Sequence, residues 1–225
     1  MPIAIGDIHG CLASLRALVA KLPADQELIF LGDYVDRGPD SAGVIRYLRQ
    51  LATERPCRFL MGNHERLMLD AIDFDDAIRG WVQNGANPTL HSYGEDFARW
   101  PQSAQRGAFL AKDRAWVEGL ALYHEDETTI YAHAGIDVRI ADMRLQDEMT
   151  LLWIREKFFA HAAEWQGKEV IFGHTPTLRM GLPAKRIFQS GKFYGIDTGA
   201  VFGGYLTAID SRTHELYQEP GLRAG

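Results

Sequence analysis

Short apolar runs alternate with helical patterns along the first third of the chain. Apolar runs at 3–5, 28–31 and 58–61 each predict a strand. A polar, glycine-rich loop follows each run, and then comes a segment with apolar residues at helical spacing, such as 12–22. Three such strand–loop–helix units predict an α/β core with parallel strands. In such sheets, ligands bind at the carboxyl ends of the strands.

The remaining pattern predicts a second sheet. Residues 73–119 are polar and broken by turn-forming dipeptides, with helical periodicity near 104–118, so we expect a helical insertion packed on the core. From 120 onward, short apolar runs predict strands, with a helix over 151–160. A second sheet packed on the first is then expected. The sequence predicts one α/β domain over 1–225, a two-sheet β-sandwich flanked by helices and built from βαβ units.

Composition and charge narrow the class of protein. The 225 residues are 46% hydrophobic and 24% charged, which is typical of globular proteins. A net charge of −6 argues against binding to a nucleic acid duplex, although bound metal ions would still allow a small phosphorylated substrate. Two cysteines cannot form a disulfide framework. Without an apolar run of ~18 residues or a secretory signal, we expect a cytoplasmic protein with no membrane partner, and a monomer.

The loops after the apolar runs contain potential metal ligands. GDIHG at 6–10, GDYVDRG at 32–38 and GNHE at 62–65 follow the first three runs, and HAG at 133–135 and GHT at 173–175 follow later ones. Asp, His and Asn are suited to manganese, iron or zinc, and a structural zinc site would instead use cysteine. Two adjacent metal ions need a bridging ligand, best a carboxylate, and such a pair makes hydroxide available for attack on a phosphate ester.

In this order, the five motifs resemble the signature of the metallo-dependent phosphoprotein phosphatases. These serine/threonine phosphatases include the bacteriophage lambda enzyme and its bacterial relatives. The resemblance runs from Gly6 to about Tyr205, and the segments WVQNGANPTLHSYG, LLWIRE and GIDTGAVFGGYLTAID also resemble the bacterial branch. It implies a metallophosphoesterase fold, a phosphorylated protein substrate and two divalent metal ions, with manganese expected ahead of iron or zinc.

The resemblance also implies a set of metal ligands. One ion would be bound by the first motif and the last histidine, and the other by the third motif and HAG, with one carboxylate bridging the two. The ligands of the first ion would be Asp7, His9 and His174, those of the second would be Asn63 and His133, and the bridging carboxylate would be Asp33.

Catalytic roles follow from the same resemblance. His64 would be the general acid that protonates the leaving seryl or threonyl oxygen, and Asp36 would orient it. Arg37 and Arg155 would bind phosphate oxygens together with Asn63, since guanidinium groups match them bidentately. The expected reaction is in-line attack of a metal-bound hydroxide on phosphorus.

Two other functions compete with this one. A dinucleoside tetraphosphate hydrolase shares the fold and the metals, but in that group the position of Asp36 is typically not Asp and the third motif typically ends in Asp rather than Glu65. A metal-stabilised binding module without turnover is the third hypothesis, yet no expected ligand, acid or arginine is missing here. The insertion at 73–119 is the candidate for substrate selection, and Cys11 is interpreted as a packing residue rather than a nucleophile.

Overall fold

The computed structural model describes residues 2–96, 98–100, 106–162 and 164–222. The strands are β1 (Ile3–Ile5), β2 (Leu28–Phe30), β3 (Cys57–Phe59), β4 (Tyr123–Glu125), β5 (Thr129–Ala132), β6 (Glu169–Phe172), β7 (Phe188–Ser190), β8 (Phe193–Gly195), β9 (Tyr205–Asp210) and β10 (Leu216–Pro220). The α-helices are α1 (Leu12–Val19), α2 (Ser41–Glu54), α3 (Asn63–Asp73), α4 (Ile78–Gln83), α5 (Asn87–Ser92), α6 (Arg114–Glu118), α7 (Glu148–Trp153) and α8 (Glu156–Phe159). No helix in these ranges is both long and apolar enough to cross a membrane.

The strands form two mixed sheets, which confirms the predicted sandwich. The first sheet has the order β10-β9-β1-β2-β3 and the second has the order β4-β5-β6-β8-β7. Within them, β1, β2 and β3 are parallel, and so are β5, β6 and β8. Each sheet therefore contributes a parallel group whose carboxyl ends can face a shared site.

The last two strands were expected in the second sheet, and this assignment was wrong. β9 runs antiparallel to β1 in the first sheet, with Ile3 opposite Asp210 and Ile5 opposite Ala208. β10 then pairs with β9 as a hairpin. Apolar patterning marks these segments as strands, but only long-range pairing decides which sheet they join.

Side chains on the central strands alternate between the two faces of each sheet. In β1, Ile3 and Ile5 pack towards the helices, whereas Ala4 packs between the sheets. In β6, Val170 and Phe172 face outward and Ile171 faces inward. Because both faces are covered, most residues on these central strands are apolar instead of alternating with polar residues.

The helices pack on the outer faces of the sheets. Asp40 caps α2 by accepting a hydrogen bond from the Gly43 N–H at 2.8 Å. Helix α1 ends at Val19, earlier than the predicted residue 22. The Ala20 amide still donates to the carbonyl four residues back, but the amides of Lys21 and Leu22 donate to carbonyls only three residues back. This tight turn ends the helix before Pro23.

The described part of the predicted insertion is helical. It contains α4, α5, α6 and 3-10 helices at Asp75–Ala77 and Ala108–Leu110. Residues 104 and 105 of the predicted helical stretch lie outside the described residues. Trp81 and Leu90 belong to the same buried cluster as Ile3 and Phe30 of the first sheet.

The predicted single helix over 151–160 was wrong, because the structure has two. Helix α7 ends at Trp153, and α8 begins at Glu156. Ile154 is extended, and Arg155 has φ −136° and ψ −111°, so neither residue is helical. The break turns the side chain of Arg155 towards the loop after β6.

Candidate active site

The carboxyl ends of six strands, three from each sheet, bring buried polar residues together. Each strand is followed within four residues by a chemically active side chain. These are Asp7 and His9 after β1, Asp33 after β2, Asn63 after β3 with His64 next to it, His133 after β5, His174 after β6 and Asp197 after β8. All of them are at most 5% exposed, so the parallel strands of both sheets converge on one buried polar site.

The loops that carry these residues have an unusual backbone. His9, Asp33, Asp36, Arg37 and His174 all have positive φ, between 45° and 71°. This region costs a non-glycine residue about 1–3 kcal/mol and is found mainly at functional sites. The surrounding glycines allow close approach. A Cβ atom at Gly173 would overlap the carboxylate of Asp7, for example.

One half of the site consists of hydrogen-bond acceptors that point at one another. His133 contacts the Leu31 carbonyl with Nδ1 at 2.9 Å, so a neutral ring has its lone pair on Nε2. That atom lies 3.0 Å from Asn63 Oδ1 and 3.4 Å from Asp33 Oδ1. Burial lowers the pKa of His133 below its usual value, which favours the neutral ring. Converging acceptors with no proton between them are suited to a bound cation.

The other half lies on the opposite oxygen of the same carboxylate. His9 contacts the Val35 carbonyl with Nδ1 at 2.7 Å, and its Nε2 lies 3.4 Å from Asp33 Oδ2. The two oxygens of Asp33 therefore face different imidazoles, the geometry needed for a bridging ligand. Burial raises the pKa of Asp33, but the surrounding histidines lower it by more, so the carboxylate is anionic.

The expected grouping of His174 with Asp7 and His9 was wrong. Its ring lies with the other ligand group, because Nδ1 is 2.8 Å from Asn63 Oδ1 and the ring packs against His133 at 5.0 Å. Only its backbone N–H reaches Asp7, at 3.0 Å from each carboxylate oxygen. Asp33, His133 and His174 form one potential ligand cluster, and His9, Asp33 and His64 form another.

The electrostatics of the site also fit divalent cations. Burial raises the pKa of Asp7 well above its usual value, and the nearby charges of Asp197 and Asp33 raise it further. Burying several carboxylates together is costly unless positive charge compensates them. Among the described side chains, His174 Nε2 and His64 Nε2 are buried nitrogen atoms without a hydrogen-bond partner.

His64 and Asp36 form a buried pair beside the ligand clusters. His64 Nδ1 lies 2.7 Å from Asp36 Oδ2, and both side chains are at most 1% exposed. Burial lowers the pKa of His64, but Asp33 and Asp36 raise it by more, so its pKa lies above the usual value. The opposite nitrogen, Nε2, lies 4.0 Å from Asp33 Oδ2 and is available to a ligand at the site.

The two predicted arginines lie on different sides of the site. Arg37 Nη1 contacts His9 Nε2 at 2.6 Å, and its guanidinium lies over the ring of Phe202, 5.4 Å from the centroid. Arg155 Nη1 donates to Thr175 Oγ1 at 3.0 Å, directly after His174. The structure thus brings both arginines to loops that also carry predicted metal ligands.

The sequence model of calcineurin-like phosphoesterases matches residues 3–202. The chain belongs to the calcineurin-like phosphoesterase family. It is therefore a metal-dependent phosphoester hydrolase, and the two ligand clusters that share Asp33 agree with divalent metal ions.

Relatives of this calcineurin-like phosphoesterase have two kinds of activity. It is 31% identical over 210 residues to serine/threonine-protein phosphatase 1 of Salmonella typhimurium, covering 90% of this chain and 88% of that protein. It is 27% identical over 229 residues to an asymmetrical bis(5'-nucleosyl)-tetraphosphatase, PrpE of Oceanobacillus iheyensis, covering 91% and 86%. A crystal structure provisionally described as that of a diadenosine tetraphosphatase has a similar fold, with a TM-score of 0.70 at 23% identity, covering 100% of this chain and 97% of that one.

Two further acidic residues of this phosphoesterase lie at the site although the sequence analysis assigned them no contact there. Asp197 lies in the same charge cluster as Asp7 and Asp33, and burial raises its pKa to about 6. The sequence marks Asp197 in a similar way to the candidate metal ligands, because it follows an apolar strand and precedes Thr-Gly. Glu65 is fully buried and accepts hydrogen bonds from four backbone N–H groups of the second and third motifs.

Proposed function

We propose that this metal-dependent hydrolase cleaves phosphoserine and phosphothreonine esters in proteins, and phosphotyrosine esters as well. The observation that supports this most is the His64–Asp36 pair, with Nδ1 on the carboxylate and Nε2 free. A seryl or threonyl alkoxide is a poor leaving group, so its departure needs a proton from a group with a pKa near neutrality. A phosphoanhydride needs no such donor, because its leaving group is already stable as an anion.

Each of these residues would have a different role in ester hydrolysis. His64 would donate its Nε2 proton to the departing oxygen while Asp36 holds the other nitrogen. Arg37 and Arg155 would bind the phosphate oxygens, whose charge is spread over three equatorial atoms in the transition state. Asn63 would bind phosphate as well as metal.

Two divalent ions would bind between these side chains. Asp7 and His9 would bind one ion; Asn63, His133 and His174 would bind the other; and Asp33 would bridge them. When bound, the ions supply hydroxide near neutral pH and neutralise phosphate charge. We propose manganese as the metal, because oxygen and imidazole ligands are suited to it.

Dinucleoside tetraphosphate hydrolysis is the second candidate function. It is supported by the relatives that are tetraphosphatases and by the shared ligand set. The same metals and arginines could bind a polyphosphate chain, but the reaction would not depend on a proton from His64. The two functions therefore differ in how much they need the His64–Asp36 pair.

A comparison of two substrates tests this proposal. Metal-stripped protein is reloaded with manganese and given a phosphothreonine peptide or diadenosine tetraphosphate at matched concentrations, with chelator controls. We expect faster turnover of the peptide, and a ~10²–10⁴-fold loss of this activity in His64→Asn with its metal content retained. Faster cleavage of the dinucleotide, little affected by His64→Asn, would overturn the protein phosphatase assignment. Full metal binding without hydrolysis of either substrate would instead indicate a binding module.

A further inference from the structure

The segment 81–89 of the predicted insertion binds the carboxylate that orients His64. Trp81 Nε1 donates to both carboxylate oxygens of Asp36, at 3.0 Å from Oδ1 and 2.9 Å from Oδ2. Thr89 Oγ1 donates to Oδ1 at 2.7 Å. Asp36, Trp81 and Thr89 are all 0% exposed, so these contacts are shielded from bulk solvent.

Thr89 holds Asp36 at two points. Its hydroxyl has one proton, which goes to the Asp36 carboxylate because the other neighbours can donate protons themselves. The oxygen then accepts from the Asp36 backbone N–H at 2.8 Å and from the Ser41 hydroxyl at 2.9 Å. A single side chain therefore fixes both the backbone and the carboxylate of Asp36.

The backbone contact matters because Asp36 adopts an unfavourable conformation. Its φ is 71°, and the φ of Arg37 is 66°. The N–H of Arg37 donates to the Gly85 carbonyl at 2.9 Å, so the segment 81–89 holds both residues. Residues in this conformation persist only where the surrounding structure determines it.

We propose that Trp81 and Thr89 are positioning residues that aim the Asp36 carboxylate at His64, so that His64 Nε2 points towards the leaving oxygen. This inference rests on the proposed ester hydrolysis. Thr89 satisfies Oδ1 and Trp81 spans both oxygens, which leaves the free direction of Oδ2 to His64 Nδ1, 2.7 Å away. The insertion then acts on catalysis through the general acid as well as through its place beside the site.

The test compares leaving groups in variants of Thr89. Thr89→Val keeps the shape of the side chain but removes the hydroxyl, whereas Thr89→Ser keeps the hydroxyl. We expect Thr89→Val to lower kcat on a phosphothreonine peptide about tenfold or more, since small misplacements at an active site have effects of this size. On p-nitrophenyl phosphate, whose leaving group needs little protonation, the loss should stay within about threefold. Thr89→Ser should restore the peptide activity.

Trp81→Phe is a second variant, because it removes the N–H donor and keeps a smaller aromatic ring at this buried position. It should show the same selective loss on the peptide, with manganese content equal to that of the wild type. His91→Ala is the matched control, since His91 lies on the same helix as Thr89 but its side chain is exposed. Its ratio of peptide to aryl phosphate activity should not change.

Two results would overturn the positioning role. One is an equal loss on both substrates in Thr89→Val and Trp81→Phe with normal metal content, and the other is no loss on either. A wild-type protein that is loaded with manganese but cleaves neither phosphomonoester would contradict the proposed function itself.

Discussion

The guanidinium of Arg37 donates a hydrogen bond to His9 Nε2 at 2.6 Å. Because His9 Nδ1 faces the Val35 carbonyl, Nε2 carries the lone pair that a metal ion would use. The metal position proposed at His9 Nε2 and the phosphate position proposed at Arg37 therefore lie side by side.

Arg37→Ala should weaken phosphate binding without weakening metal binding. The variant removes a competitor for the His9 lone pair, so manganese affinity should stay equal or rise. Inhibition by inorganic phosphate should need at least about tenfold more phosphate, because a charge-assisted bidentate contact is lost. Calorimetry with manganese and inhibition curves measure the two effects. Weaker manganese binding would show that Arg37 supports the ligand geometry instead.

Arg155→Ala should also raise the phosphate concentration needed for inhibition. Arg155 is held at the site by Thr175 Oγ1, and the break between α7 and α8 directs it there. The exposed helical Arg46 is a suitable control, and its replacement by alanine should leave inhibition unchanged. An Arg155→Ala enzyme with the phosphate inhibition of the wild type would place Arg155 outside the phosphate site.

Asp33→Asn should abolish activity and lower metal content from two ions to one or none. The amide nitrogen of asparagine cannot bind a metal ion. The variant would therefore lose one of the two carboxylate oxygens of Asp33, which face His9 and His133. Ligands that bind only the folded state stabilise it. A chelator should therefore lower the Tm of the wild type but hardly that of Asp33→Asn. Metal analysis showing two ions in the variant would refute the bridging role.

Glu65→Gln should destabilise the fold. The two carboxylate oxygens accept four backbone N–H groups at 2.8–3.1 Å, and an amide would turn its own N–H₂ towards two of them. Leaving buried donors unpaired costs about 3 kcal/mol, or about 6–12 °C in Tm for a chain of this size. The control is Glu118→Gln, since Glu118 forms an exposed i,i+4 pair worth at most about 0.5 kcal/mol. An equal decrease in Tm in both variants, measured by thermal unfolding, would contradict this role of Glu65.

The part of the site that lies in continuous motifs was predictable from the sequence. Asp7, Asp33 and Asn63 each follow an apolar run and are flanked by glycine, and parallel strands bring such loops to one edge. The βαβ order fixes that placement without knowledge of any long-range contact. The second sheet was predictable from the short apolar runs after residue 120.

Contacts between distant segments were not predictable in this way. Trp81 and Thr89 reach Asp36 from 45 and 53 residues away, and nothing local to either residue marks it as a hydrogen-bond donor to the His64–Asp36 pair. The grouping of His174 with Asn63 and the pairing of β9 with β1 also depend on tertiary packing. Hydrophobic periodicity predicts the helices and strands, but contacts between side chains on distant loops can be identified only in the folded structure.

Cys11 and Cys57 should resist alkylation in the folded protein. Cys11 is 1% exposed, and burial raises its pKa to about 12 and that of Cys57 to about 11. At pH 8 the reactive thiolate fraction is then on the order of 10⁻⁴ for Cys11 and 10⁻³ for Cys57. Iodoacetamide at pH 8 should label neither thiol within the time that labels both in denaturant, and phosphatase activity should survive the treatment. Loss of activity in step with the labelling of Cys11, followed by mass spectrometry, would mean that the thiol next to the first motif takes part in catalysis after all.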